Sequence, residues 1–97
     1  MRRIVYAASF VADADEIAAY IESRFGVART DTFIIELNDF CELVATQPRL
    51  GKKDHGYETT LYGVVHDVNW IFFQYDDLEV RFVHIVDGRR HKSAIKF

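Results

Sequence analysis

Apolar positions in the first half of the chain recur every three or four residues; those in the second half recur every two. That change of period divides the chain into a helical part and a strand part. A short run, "RIVYAA" over residues 3–8, comes first and reads as a strand. Behind it Phe10, Ala14, Ile17, Ala18, Ile21 and Phe25 fall at helical spacing. Ser9 is placed to cap this helix, because its hydroxyl can accept an orphan backbone N–H. Asp13, Asp15 and Glu16 lie early in it, where negative charge suits the helix dipole. Gly26 stands where a helix ends in a left-handed residue. A second stripe follows: Phe33, Leu37, Phe40 and Val44, widened by Ile34, Cys41 and Ala45. Thr30 or Asp31 is its expected cap, and Pro48 stops it. About four residues then join the helices, so they should pack as an antiparallel hairpin.

"PRLGKKDHG" (48–56) is the clear loop, with Pro, two Gly and two adjacent Lys. After it, "YETTLYGVVH" (57–66), "NWIFFQYD" (69–76) and "LEVRFVHIV" (78–86) are rich in β-branched and aromatic residues. The short breaks at 66–68 and 76–77 make these an antiparallel meander. The predicted order is β-α-α-β-β-β. This is an α+β domain: an antiparallel sheet with a helical hairpin packed on one face. At 97 residues it reads as a single domain, 1–97.

Eight Phe, five Tyr and one Trp supply a real core and argue against disorder. The net charge of −3 excludes nucleic-acid binding by bulk charge, and no sequence-specific nucleic-acid contact is expected. Its distribution is uneven. Residues 1–50 carry five Lys/Arg against eight Asp/Glu, residues 51–97 seven of each. Arg89, Arg90, Lys92 and Lys96 form a basic tail with no acid among them. A local anionic contact fits this better than general stickiness. Cys41 is the only cysteine, so no internal disulfide forms and a reducing compartment is expected. No apolar run approaches the ~18–20 residues of a membrane span. Asp13, Asp15 and Glu16 interrupt any signal-peptide h-region, and the chain reads as cytoplasmic.

Few residues carry recognisable chemistry. Asp13, Asp15, Glu16 and Glu22 fall at helical spacing and read as a solvated face. His55, His66, His84 and His91 form no zinc-binding spacing, and no metal or cofactor is expected. His84 alternates with Phe82 and Val86 on a strand and reads as a hydrogen-bonded interior or face residue. Cys41 lies in an apolar helix stripe and reads as core. Two basic clusters remain, Lys52-Lys53 and Arg89-Arg90-His91-Lys92, and a meander can bring the two near one another. Gly88, between the last strand and the arginines, is expected to take a positive φ.

"ADADEIAAYIESRFG", a second helix ending "LVATQPRLG" and three strands ending "VRFVHIVDGRR" together resemble the RelE/ParE superfamily of bacterial toxins. These are the toxin halves of type II toxin–antitoxin modules. The resemblance spans nearly the whole chain, although Asp87 stands where many relatives carry His. It implies one of two activities, or an inactive relative that only binds an antitoxin. RelE-like members cleave mRNA in the ribosome; ParE-like members inhibit DNA gyrase. The ribonuclease chemistry needs a base, an acid and cations on the developing phosphorane. By resemblance those roles would fall to Lys52, Lys53, Arg81, Arg90 and His91. Yet Trp70 stands where such enzymes carry a middle-strand Arg, and Phe97 where they carry a Tyr. The departures favour the ParE-like branch, with Arg89, Arg90, His91 and Lys92 as target contacts and no catalytic set. The implied partners are a ParD-like antitoxin and gyrase. Phe10, Tyr20, Phe25, Phe33 and Phe40 are too many to fit under a small sheet. They are the expected antitoxin-binding surface, for an amphipathic segment laid in a groove or added as a strand.

Overall fold

The computed structural model describes residues 2–53 and 61–88. Strand β1 (Arg3–Tyr6) leads into helices α1 (Ala8–Phe25) and α2 (Val27–Thr46). A 3-10 turn at Pro48–Leu50 follows, then strands β2 (Lys52–Lys53), β3 (Tyr62–His66), β4 (Asn69–Tyr75) and β5 (Glu79–Asp87). The sheet order is β1-β5-β4-β3-β2. Strands β3 to β5 form the expected antiparallel meander, and a two-residue β2, within the stretch read as loop, pairs at its edge. β1 adds beside β5 in parallel, pairing Arg3 with Glu79 and Tyr6 with Phe82, so the sheet is mixed. Parallel pairing needs a long crossover, and the whole helical hairpin and meander lie between these two strands.

Gly26 alone joins the helices, where about four residues were expected. Its φ of 87° turns the chain sharply, and its N–H donates to Glu22 O at 3.0 Å. A side chain is strained at that φ, so glycine suits the corner. Because α2 starts at Val27, Thr30 is not its cap. Thr30 is buried in the first turn and its Oγ1 donates to Gly26 O at 3.0 Å. Ser9 is not a cap either. The β1–β5 ladder runs on to Ala7, whose N–H donates to Phe82 O at 2.9 Å, and α1 opens directly behind it. This early start also puts Asp13 beyond the first turn.

The core lies between the hairpin and one face of the sheet. Phe10, Phe33, Leu37, Cys41 and Val44 pack there against Ile71, Phe73, Val80, Phe82 and Ile85. Phe82 sits within 6.0 Å, centroid to centroid, of the Tyr6, Phe10 and Phe73 rings. On α2 the buried stripe is Thr30, Phe33, Leu37, Cys41, Val44 and Ala45. Ile34, expected to widen it, is instead exposed.

Cys41 is fully buried, near the Tyr6 side chain. Burial pushes its thiol up to about 12, and burial likewise raises Tyr6 to about 12. An unfolded thiol ionises near pH 9.0 and the folded one only near 12. Above pH 9 the unfolded state therefore gains from ionisation and the folded state does not. This contribution is fully present below pH 9 and is lost as pH rises towards 12. Native protein should resist alkylation by iodoacetamide at pH 8.5, and denaturant midpoints should fall steadily over that alkaline window. Rapid native-state alkylation would contradict the buried thiol.

Candidate functional site

The last strand carries an irregularity that strict alternation hides. Phe73 pairs with Phe82 but Phe72 pairs with His84, so Val83 has no partner on β4. The core positions are accordingly Val80, Phe82 and Ile85, a step of two and then of three. Such a bulge breaks ladder bonds and re-aims side chains. Helix α1 supplies replacements from two positions one turn apart. Ser9 Oγ donates to Val83 O at 2.6 Å. Asp13 Oδ2 lies 2.8 Å from His84 Nδ1 and accepts from Ile85 N–H at 3.3 Å. Asp13 is thus no part of a solvated face: it is turned onto the sheet, while Asp15 and Glu16 do face water. His84 is the hydrogen-bonded residue that its position on the strand indicated.

Beyond the bulge, β5 runs alongside the β3–β4 turn. Asp67 takes a φ of 54° in that turn, a left-handed value that Asp tolerates better than most residues. The Gly88 N–H donates to Val68 O, which pins the strand end. Gly88 does not have the expected positive φ; among the described residues only Gly26 and Asp67 do. Its requirement is close approach. A Cβ there would lie 2.6 Å from Val68 O and 3.0 Å from Trp70 Cδ1. Gly88→Ala should therefore cost about 1–3 kcal/mol, as overpacking against backbone does. Urea unfolding measures it; a midpoint equal to that of the native sequence would show that the turn yields freely.

Arg89, Arg90, His91 and Lys92, and also His55 and Phe97, lie outside the described residues. Lys52 and Lys53 are exposed on edge strand β2. Arg81 is exposed on β5, with Nη2 3.6 Å from Glu79, which also pairs with Arg3 at 2.7 Å. Three strand spacings, roughly 14 Å of sheet, separate Lys52-Lys53 from Arg81. The row through Lys52 meets β5 at His84, four residues short of Gly88. The fold does not bring Lys52, Lys53 and Arg81 into one cluster. Trp70 is half-buried and stacked on Phe72, with centroids 6.3 Å apart. Its ring is a packing group under the strand end.

The five aromatic residues separate. Phe10 and Phe33 belong to the core and present no surface. Tyr20 is 46% and Phe25 68% exposed. Phe40 is half-buried and stacks on the His66 ring at 4.3 Å. An open groove of about 200 Å³ lies between the helices, lined by Tyr6, Val11, Ala14, Ile34 and Leu37 above Phe10. Val11 escaped the sequence reading, and Ile34 was read as part of the buried stripe. A signal for Ile34 was present: Phe33, Ile34 and Ile35 are consecutive, and at 100° per residue one helix cannot bury all three. Among the described residues no group of three or more His, Cys, Asp or Glu can hold a metal ion. No helix among them is long and apolar enough to cross a membrane.

Two helices on one face of a mixed five-stranded sheet recur in solved toxin–antitoxin structures. One is the chromosomal ParDE system of P. aeruginosa, with a TM-score of 0.74 and 11% identity over 88% of this chain and 94% of that one. Another is the RelBE2 toxin–antitoxin complex of Mycobacterium tuberculosis, with a TM-score of 0.56 and 14% identity over 87% and 94%. The fold is that of the RelE/ParE toxins. No curated protein matches in sequence. The family model for the ParE toxin of the type II toxin–antitoxin system, parDE, matches residues 4–92. The chain belongs to that family.

Proposed function

We propose that the protein is a toxin that inhibits DNA gyrase by binding it, performs no chemistry of its own, and is neutralised by a cognate ParD-like antitoxin. The observation that carries the choice of target is Trp70. At the position where a ribosome-dependent ribonuclease would need a cation on the middle strand, the chain has an indole stacked on Phe72. The separation of Lys52-Lys53 from Arg81 across three strand spacings supports the same reading. The net charge of −3 also suits a protein target better than an RNA strand.

The proposed target contacts are Arg89, Arg90, His91 and Lys92. The antitoxin is expected to cover exposed apolar surface on the hairpin, Tyr20 and Phe25 among it, and to leave Phe10 and Phe33 undisturbed in the core. A supercoiling assay with purified chain tests the target: inhibition at micromolar concentration, relieved by antitoxin, is the expected result. Primer extension on ribosome-bound message tests the opposite case. Cleavage there, abolished by Arg90→Ala, would overturn the gyrase reading.

A further inference from the structure

Both helices pack on one face of the sheet, against Ile71 and Phe73 of β4 and beside Tyr62 and Val64 of β3. Side chains alternate along a strand, so Leu61, Gly63, Trp70 and Phe72 belong to the other face. A Cβ on Gly63 would lie 3.3 Å from Phe72 Cε1 and 3.8 Å from Trp70 Cε3, so both rings lean over that glycine. A sheet face without a second layer is normally polar and solvated. This one is neither. Phe72 is 3% and Leu61 1% exposed, and neither belongs to the cluster under the helices. Gly51, behind the 3-10 turn, abuts Phe73 on the helix side. Among the described residues no element therefore supplies a layer over Phe72 and Leu61. The cover is local, because Val65, paired with Trp70 on the same face, is half exposed.

We propose that the cover is a segment of this chain, residues 93–97, with Ile95 and Phe97 seated against Phe72 and Trp70. Strand β5 delivers the segment to this place. Gly88 is bonded to Val68 O, and a Cβ on it would lie 3.0 Å from Trp70 Cδ1, so the chain leaves the sheet beside the Trp70 ring. Its length suffices: Trp70 and Phe72 are roughly 7 Å apart along β4, and nine residues extend up to about 30 Å. Its composition fits as well. Ile95 and Phe97 stand two apart and share one side of an extended segment, with Lys96 on the other. Residues 54–60, the other stretch outside the described residues that adjoins this face, carry one large apolar side chain, Tyr57. The seating does not depend on the gyrase reading. On that reading it restrains residues 89–92 from both sides, and a restrained contact segment loses less entropy on binding.

Trp70 is the only tryptophan, so its emission reports on this face. Deleting residues 93–97 should move the emission to longer wavelength and raise its acrylamide quenching constant about twofold, as a half-covered indole becomes wet. Ile95→Ser with Phe97→Ser should do the same. Far-UV circular dichroism should keep the native helix signal in both variants, since the core under the helices is untouched. In the full native chain, nuclear Overhauser effects should join the Ile95 methyls and the Phe97 ring to the Phe72 ring. That measurement needs no variant and decides alone if a variant loses helix signal. Unchanged emission in both variants, with no such Overhauser effects, means that another segment forms the layer and overturns the proposal. Native emission that moves to longer wavelength on dilution means that a second copy covers the face, which overturns it equally.

Discussion

Phe82→Ala should remove a large share of this protein's stability. Phe82 is fully buried at the centre of a ring cluster formed with Tyr6, Phe10 and Phe73. Those three rings come from β1, α1 and β4, so the cavity left behind is bounded by three elements that cannot all move inward. Truncating such a residue costs about 3–5 kcal/mol, against a total stability of roughly 5–15 kcal/mol for a domain. Urea or thermal denaturation followed by circular dichroism measures the loss. Phe25→Ala is the matched control. Phe25 is 68% exposed, and its truncation should stay within about 0.5 kcal/mol. A small loss at Phe82, or a large one at Phe25, would contradict the placement of the core.

The second large effect concerns function. Arg89→Glu together with Arg90→Glu should raise the concentration needed to inhibit gyrase by at least roughly 100-fold, since juxtaposed like charges cost several kcal/mol at an interface and each 1.4 kcal/mol is tenfold. Thermal stability should remain near that of the native sequence. Lys52→Glu with Lys53→Glu is the discriminating comparison. Those lysines lie on the far edge strand, and a gyrase inhibitor acting through residues 89–92 should tolerate their reversal. A ribosome-dependent ribonuclease should not, because the loop lysines would face phosphate. Equal loss of activity in both double variants would move the protein towards the RelE-like reading.

These two expectations draw on different kinds of information. That Phe82 is buried was legible in the alternation of "VRFVHIV"; that it meets Tyr6 and Phe10 was not. Local pattern reports which side of a strand is apolar, and only the parallel pairing of β1 with β5 brings residues 6 and 82 together. The bulge at Val83 was hidden for a related reason. One extra residue leaves composition and apparent period almost unchanged, yet it shifts the next core position from 84 to 85. Ser9 and Asp13 then read as a cap and a surface acid, because their partners Val83, His84 and Ile85 are more than 70 residues away.

The aromatic surface shows the same division. Phe10, Tyr20, Phe25, Phe33 and Phe40 were correctly too many for one core, but a count does not say which are left outside. The early start of α2 at Val27 answers that, because one glycine between the helices sets the phase of the α2 stripe. By itself the sequence determined most of the elements, their order and the family, since period, turn residues and side-chain chemistry are local properties. The tertiary structure decided the sheet order, the bulge clamp, the close contact at Gly88 and the burial of Asn69. Each of these depends on groups distant in the chain meeting within a few ångströms, which no local pattern encodes.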